Sequence, residues 1–299
     1  MSAGGNIYDL GYRGYDGPRL GRGAVTLGLL RATLKSAYGI GRGGRAKIAP
    51  FGLLVLEILP AVIAVGITAI ATQAGAGEVL EEASPIQHAS YQGLTGTILT
   101  LFLAAQAPEL FGRDQRYGVL PLYFSRLLTR SDYAGARVGG LVLAVFLLSL
   151  LPHLILVFGT VLSAPDPIAG LGEAAPDIPR FLAVTLQASL LLSCVAAIVA
   201  AWTPRRAYAT AGIIAAFLIP SVIAIVVVEL AVSDVTRFIV LFSPADLVDG
   251  FNAAIFGTLP DGPAVTEADL PDWVYVIASF VWIGVLFGVI VRRYQKLTA

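Results

Sequence analysis

Apolar residues gather in long blocks along this chain, and most polar residues fall between the blocks. About 20 apolar residues carry a helix across a bilayer. Six blocks have that scale: about 49–72, 91–107, 138–164, 181–202, 207–232 and 273–291. The fourth and fifth are separated only by Thr203, Pro204, Arg205 and Arg206, which predicts a tight helical hairpin. Another apolar stretch, 237–257, is interrupted by Ser243, Pro244, Asp246 and Asp249. Its pieces are too short to cross, so it predicts a re-entrant or interfacial hairpin between spans five and six rather than a seventh span. Ahead of the first block, Leu27, Leu30, Leu34 and Tyr38 share a helical face flanked by Arg31 and Lys35. That spacing predicts an amphipathic helix lying at the membrane interface. "GIGRGGRAK", 39–47, then reads as a flexible hinge into the first span. The domain organisation expected is a segment 1–48 carrying the interfacial helix, followed by a single six-span domain over 49–299.

Composition supports the membrane assignment. Hydrophobic residues make up 57% and charged residues 13%, against roughly 25% charged in a soluble domain. Mean hydropathy is +0.79. A net charge of zero suggests no nucleic-acid partner. Cys194 is the sole cysteine, which rules out an internal disulfide or a cysteine metal cluster. The first residues contain no apolar core, so they do not read as a cleaved signal peptide.

Charge also sets an expected orientation. Basic residues lie in the N-terminal segment, in the loop between spans two and three, at Arg205 and Arg206, and at Arg292, Arg293 and Lys296. Of the 20 basic residues, only Arg180 and Arg237 fall on the other side. The alternate loops carry Glu78, Glu81, Glu82, Asp166, Glu173, Asp177 and the row from Asp234 to Asp272 instead. By the positive-inside rule both termini are cytoplasmic and the number of spans is even. The fold class expected is therefore an all-α integral membrane protein with six transmembrane helices and an outer hairpin between the last two.

The segment 108–137 is the densest charged island, with Arg113, Arg116, Arg126, Arg130 and Arg137. Pro108 with Glu109 beside it is a helix start signal, and Gly118 a stop. Glu109 and Arg113, four residues apart, share a face that Arg116 continues. A short cytoplasmic helix between spans two and three is expected, either as a solvated loop obeying the charge rule or as a docking element. Its local order resembles the region after the second span in type-2 ABC transporter permeases. Glu109 and Arg116 stand at the front, Gly118-Val119-Leu120 at the turn, and Leu127-Leu128-Thr129-Arg130 at the Pro-x-Ser/Thr-Arg step, followed by Tyr133 and Arg137. Val119 replaces the usual threonine and Leu127 the usual proline. "LFSPADLVDGFNAAIFG" is similar to the family's outer hairpin, and "GYRGYDGPRLGR" to the N-terminal lead of some bacterial members.

The resemblance implies the permease subunit of an exporter in a bacterial cytoplasmic membrane. Two such subunits, identical or related, would pair with two ATPase subunits that hold ATP and Mg. The island would be the coupling helix, with Glu109, Arg113, Asp114, Arg116 and Tyr117 facing the ATPase. A hydrophobic drug, a lipid or a peptide antibiotic would all be compatible cargo.

This chain has no phosphate-cradling Gly-x-x-x-x-Gly-Lys-Ser/Thr, and "GIGRGGRAKI" does not supply one. No Gly-x-Ser-x-Gly supports an intramembrane serine hydrolase, and Glu81, Glu82 and His88 form no known ligand frame. A catalytic role for the chain itself is not expected. Glu57, His153 and Glu229 are ionisable groups in or near the apolar blocks. Such groups usually face a cavity or a partner, so they are candidates for the transport pathway or a subunit interface. A paired or protonated Glu57, a neutral hydrogen-bonded His153 and a Glu229–Arg237 ion pair are the structural alternatives. Pro60, Pro152 and Pro220 interrupt spans one, three and five, a feature shared with secondary transporters and channels. An ATP-independent transporter or channel is thus the rival function.

Overall fold

The computed structural model describes residues 17, 21–74, 86–125, 127–203, 205–230 and 233–296, and among them every regular element is helical. Arg13, Arg19, Arg126, Glu78, Glu81, Glu82 and most of the N-terminal lead lie outside the described residues. Six helices are long and apolar enough to cross a membrane: Arg45–Gln73, Tyr91–Arg116, Arg130–Ser163, Asp177–Trp202, Arg206–Glu229 and Asp272–Lys296. They match the six apolar blocks in number and order, and the chain is an all-α protein of the multi-pass membrane type.

The second, third and fourth spans form the core, with Leu99, Leu103, Leu141, Leu148 and Leu191 fully buried among them. The fourth span presents Ala196, Ala197, Ala200 and Ala201, all inaccessible. Small residues of this kind let helix backbones approach closely where apolar burial alone gives no preference over lipid. Gln187 on the fourth span donates to Ser279 Oγ on the sixth at 3.0 Å, a polar tie inside an apolar contact. The first, fifth and sixth spans are peripheral.

Boundaries differ from the apolar blocks where polar residues extend a helix. The third span begins at Arg130, well before the apolar run, because Thr129 and Asp132 form a capping box. The sixth continues through the basic residues to Lys296. The expected separate helix after the second span is not separate. Pro108–Gly112 forms a π-helical turn, and the helix continues through Arg113–Arg116. A proline lacks the donor that a regular turn requires, and a widened turn accommodates that loss without a break. Gly118 does end the segment, in the left-handed region at φ 63°.

The amphipathic helix runs from Arg22 to Ala37. Its buried line is Leu29, Thr33 and Ala37, with Leu27 exposed, so the helix is rotated from the face that the leucines alone suggest. It packs on the third span, where Gly140 leaves the space: a Cβ there would meet Thr33 Cβ at 2.6 Å and the Leu30 carbonyl at 2.9 Å. Residues 39–44 form a hydrogen-bonded turn, and 45–47 already belong to the first span. Ile40 N donates to Lys35 O at 2.9 Å, and Gly39 and Gly41 take positive φ.

The stretch after the fifth span contains a 3-10 helix, Thr236–Phe242, and an α-helix, Pro244–Phe256, bent from each other by 97°. Ser243 caps the second helix by accepting from Asp246 N, and Gly257 ends it with φ 69°. The helices Pro167–Ala174 and Pro263–Ala268 are additional; both begin with the Pro-at-first-turn signal that their short length hid.

Candidate functional site

Two polar regions stand out, at opposite ends of the second span. At the arginine-rich end, segments far apart in sequence are tied together. Glu109 pairs with Arg206 at 3.0 Å and with Arg42 at 3.5 Å. Asp114, 8% exposed, pairs with Arg137 and accepts the Tyr133 hydroxyl at 2.6 Å. Arg137 also donates to Thr33 of the amphipathic helix at 3.3 Å and lies over the Tyr133 ring. Gln115 donates to the Ala201 carbonyl at 3.1 Å. Arg130 donates to the Gln295 carbonyl at 2.7 Å, and Arg22 holds Asp132 with two hydrogen bonds of 2.6 and 2.8 Å. Like charges held this closely would repel; the interleaved carboxylates make the cluster cohesive.

These ties divide the expected docking set. Asp114 is enclosed and occupied by Arg137, and Glu109 faces two arginines of its own chain, so neither carboxylate points outward. Arg113, Arg116 and Tyr117 are exposed, Tyr117 at 66%. Arg116 lies over the Tyr117 ring at 5.4 Å.

The intramembrane candidates separate in the same way. Glu57 is fully buried, and neither carboxyl oxygen has a hydrogen-bond partner. Thr95, beside it on the second span, donates its hydroxyl to Tyr91 O at 3.1 Å instead. Glu57 therefore sits inside the chain between spans one and two and does not line the large cavity described below. His153 is 1% exposed, stacked on Phe181 with an interplanar angle of 3°, and its Nδ1 is 2.9 Å from His88 Nδ1. One ring must donate and the other accept, which requires a neutral acceptor. Glu229 and Arg237 are both exposed, and among the described residues no ion pair joins them.

The second polar region is a cavity of about 510 Å³ between the second span, the fifth span and the helix Pro244–Phe256. Leu99, Phe217 and Leu218 supply apolar wall; Gln92, Ser221, Asp246, Asp249, Asn252 and Asp261 supply polar wall. Ser221 donates to Asp246 Oδ1 at 3.1 Å. Asp249 accepts from the backbone N–H groups of Asp261 (3.1 Å) and Gly262 (2.9 Å). On the facing surface of the second span Gly96 leaves open space, and the Asp261 carboxylate packs against Gly93. Sequence reasoning missed this site. Asp246 and Asp249 read only as interruptions of an apolar run, and Gln92 and Asn252 carry no charge to attract notice. The available signal was their coincidence with the broken helix, since irregular backbone at membrane depth is tolerated where it lines a cavity.

Compared with protein-family models the chain matches none, and the comparison with curated proteins finds no match.

Proposed function

We propose that the chain is the permease subunit of an ATP-binding cassette exporter in a bacterial cytoplasmic membrane, with ATP and Mg held by a separate ATPase. Two permease subunits would pair with two ATPase subunits. The observation that carries this reading is the arginine-rich end. Glu109 and Asp114 are turned inward as braces, and Arg113, Arg116 and Tyr117 are left outward. A merely solvated loop requires no such division. A docking surface does, because its outward charges must complement a partner while its inward ones transmit displacement. A push on 113–117 would reach the third span through Asp114–Arg137 and the fifth through Glu109–Arg206. Under the positive-inside rule this end is cytoplasmic and the bent hairpin lies on the outer side. Closing of the ATPases would then reshape the membrane cavity by alternating access.

Arg116→Glu combined with Tyr117→Ala should lower co-purification of the co-expressed ATPase, while Arg180→Glu, exposed at the opposite end, should leave it unchanged. Assembly and ATP-driven transport like the parent in the double variant would overturn the docking role. Saturable nucleotide binding by this chain alone would overturn the division of labour, and transport independent of ATP would favour a secondary transporter or channel.

A further inference from the structure

The cavity between the second span, the fifth span and the helix Pro244–Phe256 differs from a packing defect in the residues that line it. Asp246 is 5% exposed; its Oδ1 accepts from Ser221, but its Oδ2 has no partner. Asn252, 4% exposed, donates through Nδ2 to the Ala89 carbonyl and leaves Oδ1 without a partner. Gln92, 6% exposed, accepts from Ser149 on Oε1 at 3.5 Å and leaves Nε2 unmatched. Buried polar atoms are ordinarily satisfied, and each exception calls for a cause. Here the residues that carry three exceptions line one cavity. Two are acceptors, one of them a carboxylate, and no basic side chain is among the lining residues.

We infer that this cavity binds a protonated amphipathic amine. Ammonium N–H groups would donate to Asp246 Oδ2 and Asn252 Oδ1. A hydroxyl or carbonyl of the ligand would accept from Gln92 Nε2, and an apolar body would lie against Leu99 and Phe217. A quaternary cation carries the charge without the N–H donors, so it satisfies the carboxylate and leaves Asn252 unmatched. A volume of about 510 Å³ lies within the ~300–1,000 Å³ of small-molecule sites. As a statement about cargo the inference rests on the exporter reading; as a statement about binding it does not.

The test uses the full chain in nanodiscs of phosphatidylcholine and phosphatidylglycerol. Three probes share one dansyl-alkyl body and differ at the head: a primary amine, its acetylated neutral form and a trimethylammonium form. The amine should bind saturably, the acetylated probe about tenfold or more weaker, and the quaternary probe in between. Asp246→Asn should bring the amine down to the acetylated probe. Gly96→Phe should abolish binding of all three, because Gly96 lines the cavity and has open space where a side chain would project. Equal binding of amine and acetylated probe overturns the inference, as does parent-like amine binding in both variants. Adding phosphatidylethanolamine separates two sources of the same chemistry: competition assigns the site to a lipid amine, and no competition to a soluble one. Amine binding without ATP-driven uptake by inverted vesicles carrying the ATPase would leave the inference standing and refute the exporter reading.

Discussion

Asp114 and Asp246 are buried carboxylates near opposite ends of one helix bundle, and their surroundings are opposite. Asp114 has an arginine and a tyrosine hydroxyl on it; Asp246, which lines a cavity, has one serine hydroxyl and an unmatched oxygen. The carboxylates near Asp114 are held in the same way, although Arg42 and Arg137 each keep an unmatched Nε. Glu109 and Asp132 are paired with arginines, whereas Asn252 and Gln92 each keep an unmatched atom. A carboxylate held by its own chain is a brace, and removing it leaves a buried cation. A carboxylate that its own chain does not fully pair is held at a desolvation cost, and removing its charge relieves that cost. Stability measurements can therefore distinguish the two roles without knowledge of the cargo.

The largest effect should come from Asp114→Ala. Arg137 is 7% exposed, and breaking a buried pair by removing one partner typically costs ~3–5 kcal/mol. Thermal unfolding of the detergent-solubilised chain should show a strongly lowered midpoint. The double variant Asp114→Leu with Arg137→Met should recover most of it, since no charge is then left unpaired. A single variant with parent-like stability would mean that the brace is not one.

Next in size is Gly140→Ala, which tests whether the amphipathic helix belongs to the braced end. The added Cβ would meet the Leu30 carbonyl at 2.9 Å, backbone that a side-chain rotation cannot move. Overpacking of this kind costs about 1–3 kcal/mol. Protease cleavage within 22–37 should accelerate in the variant if that helix is displaced from the third span.

The braced end and the open cavity were unequally legible in the sequence. Apolar block length located all six long helices, because a bilayer imposes one length scale on every span. Charge located the arginine-rich segment for a related reason: arginines between apolar blocks are conspicuous. Which way Glu109 and Asp114 turn was not legible, since their partners Arg42, Arg206 and Arg137 come from distant segments. The i, i+4 rule placed Glu109 with Arg113 on a regular helix, and the π turn at Pro108–Gly112 altered that phase. The cavity was least legible. It is assembled from two spans and a bent hairpin by uncharged Gln92 and Asn252 as much as by Asp246, and periodicity does not register a missing hydrogen bond.

A smaller effect concerns His88, beside the helix start at Tyr91. Burial pushes its pKa below the ordinary histidine value, and Asp177 opposes that shift. The folded chain therefore binds the proton less readily than the unfolded one. Stability is full above the unfolded histidine value of ~6.5 and falls as pH drops from there toward the depressed folded value. The unfolding midpoint of the parent should decline more between pH 7.5 and 5 than that of His88→Gln. An identical decline in both would show that the contact with His153 and Phe181 does not depend on the neutral ring.

The smallest stability change is expected at Asp246, and it bears most directly on the comparison. Asparagine keeps the shape and an oxygen to accept from Ser221. It replaces an unmatched carboxylate oxygen by an amide and removes a charge from among Asp249 and Asp261, which also line the cavity. Loss of a brace would destabilise, whereas loss of like-charge repulsion and desolvation would not. The Asp246→Asn midpoint should therefore stay within about 0.5 kcal/mol of the parent or rise, while amine binding falls. Destabilisation approaching that of Asp114→Ala would place an unseen partner on Oδ2 and make both ends of the bundle structural. A stable fold with lost binding is the outcome that separates a carboxylate kept for the chain from one kept for a ligand.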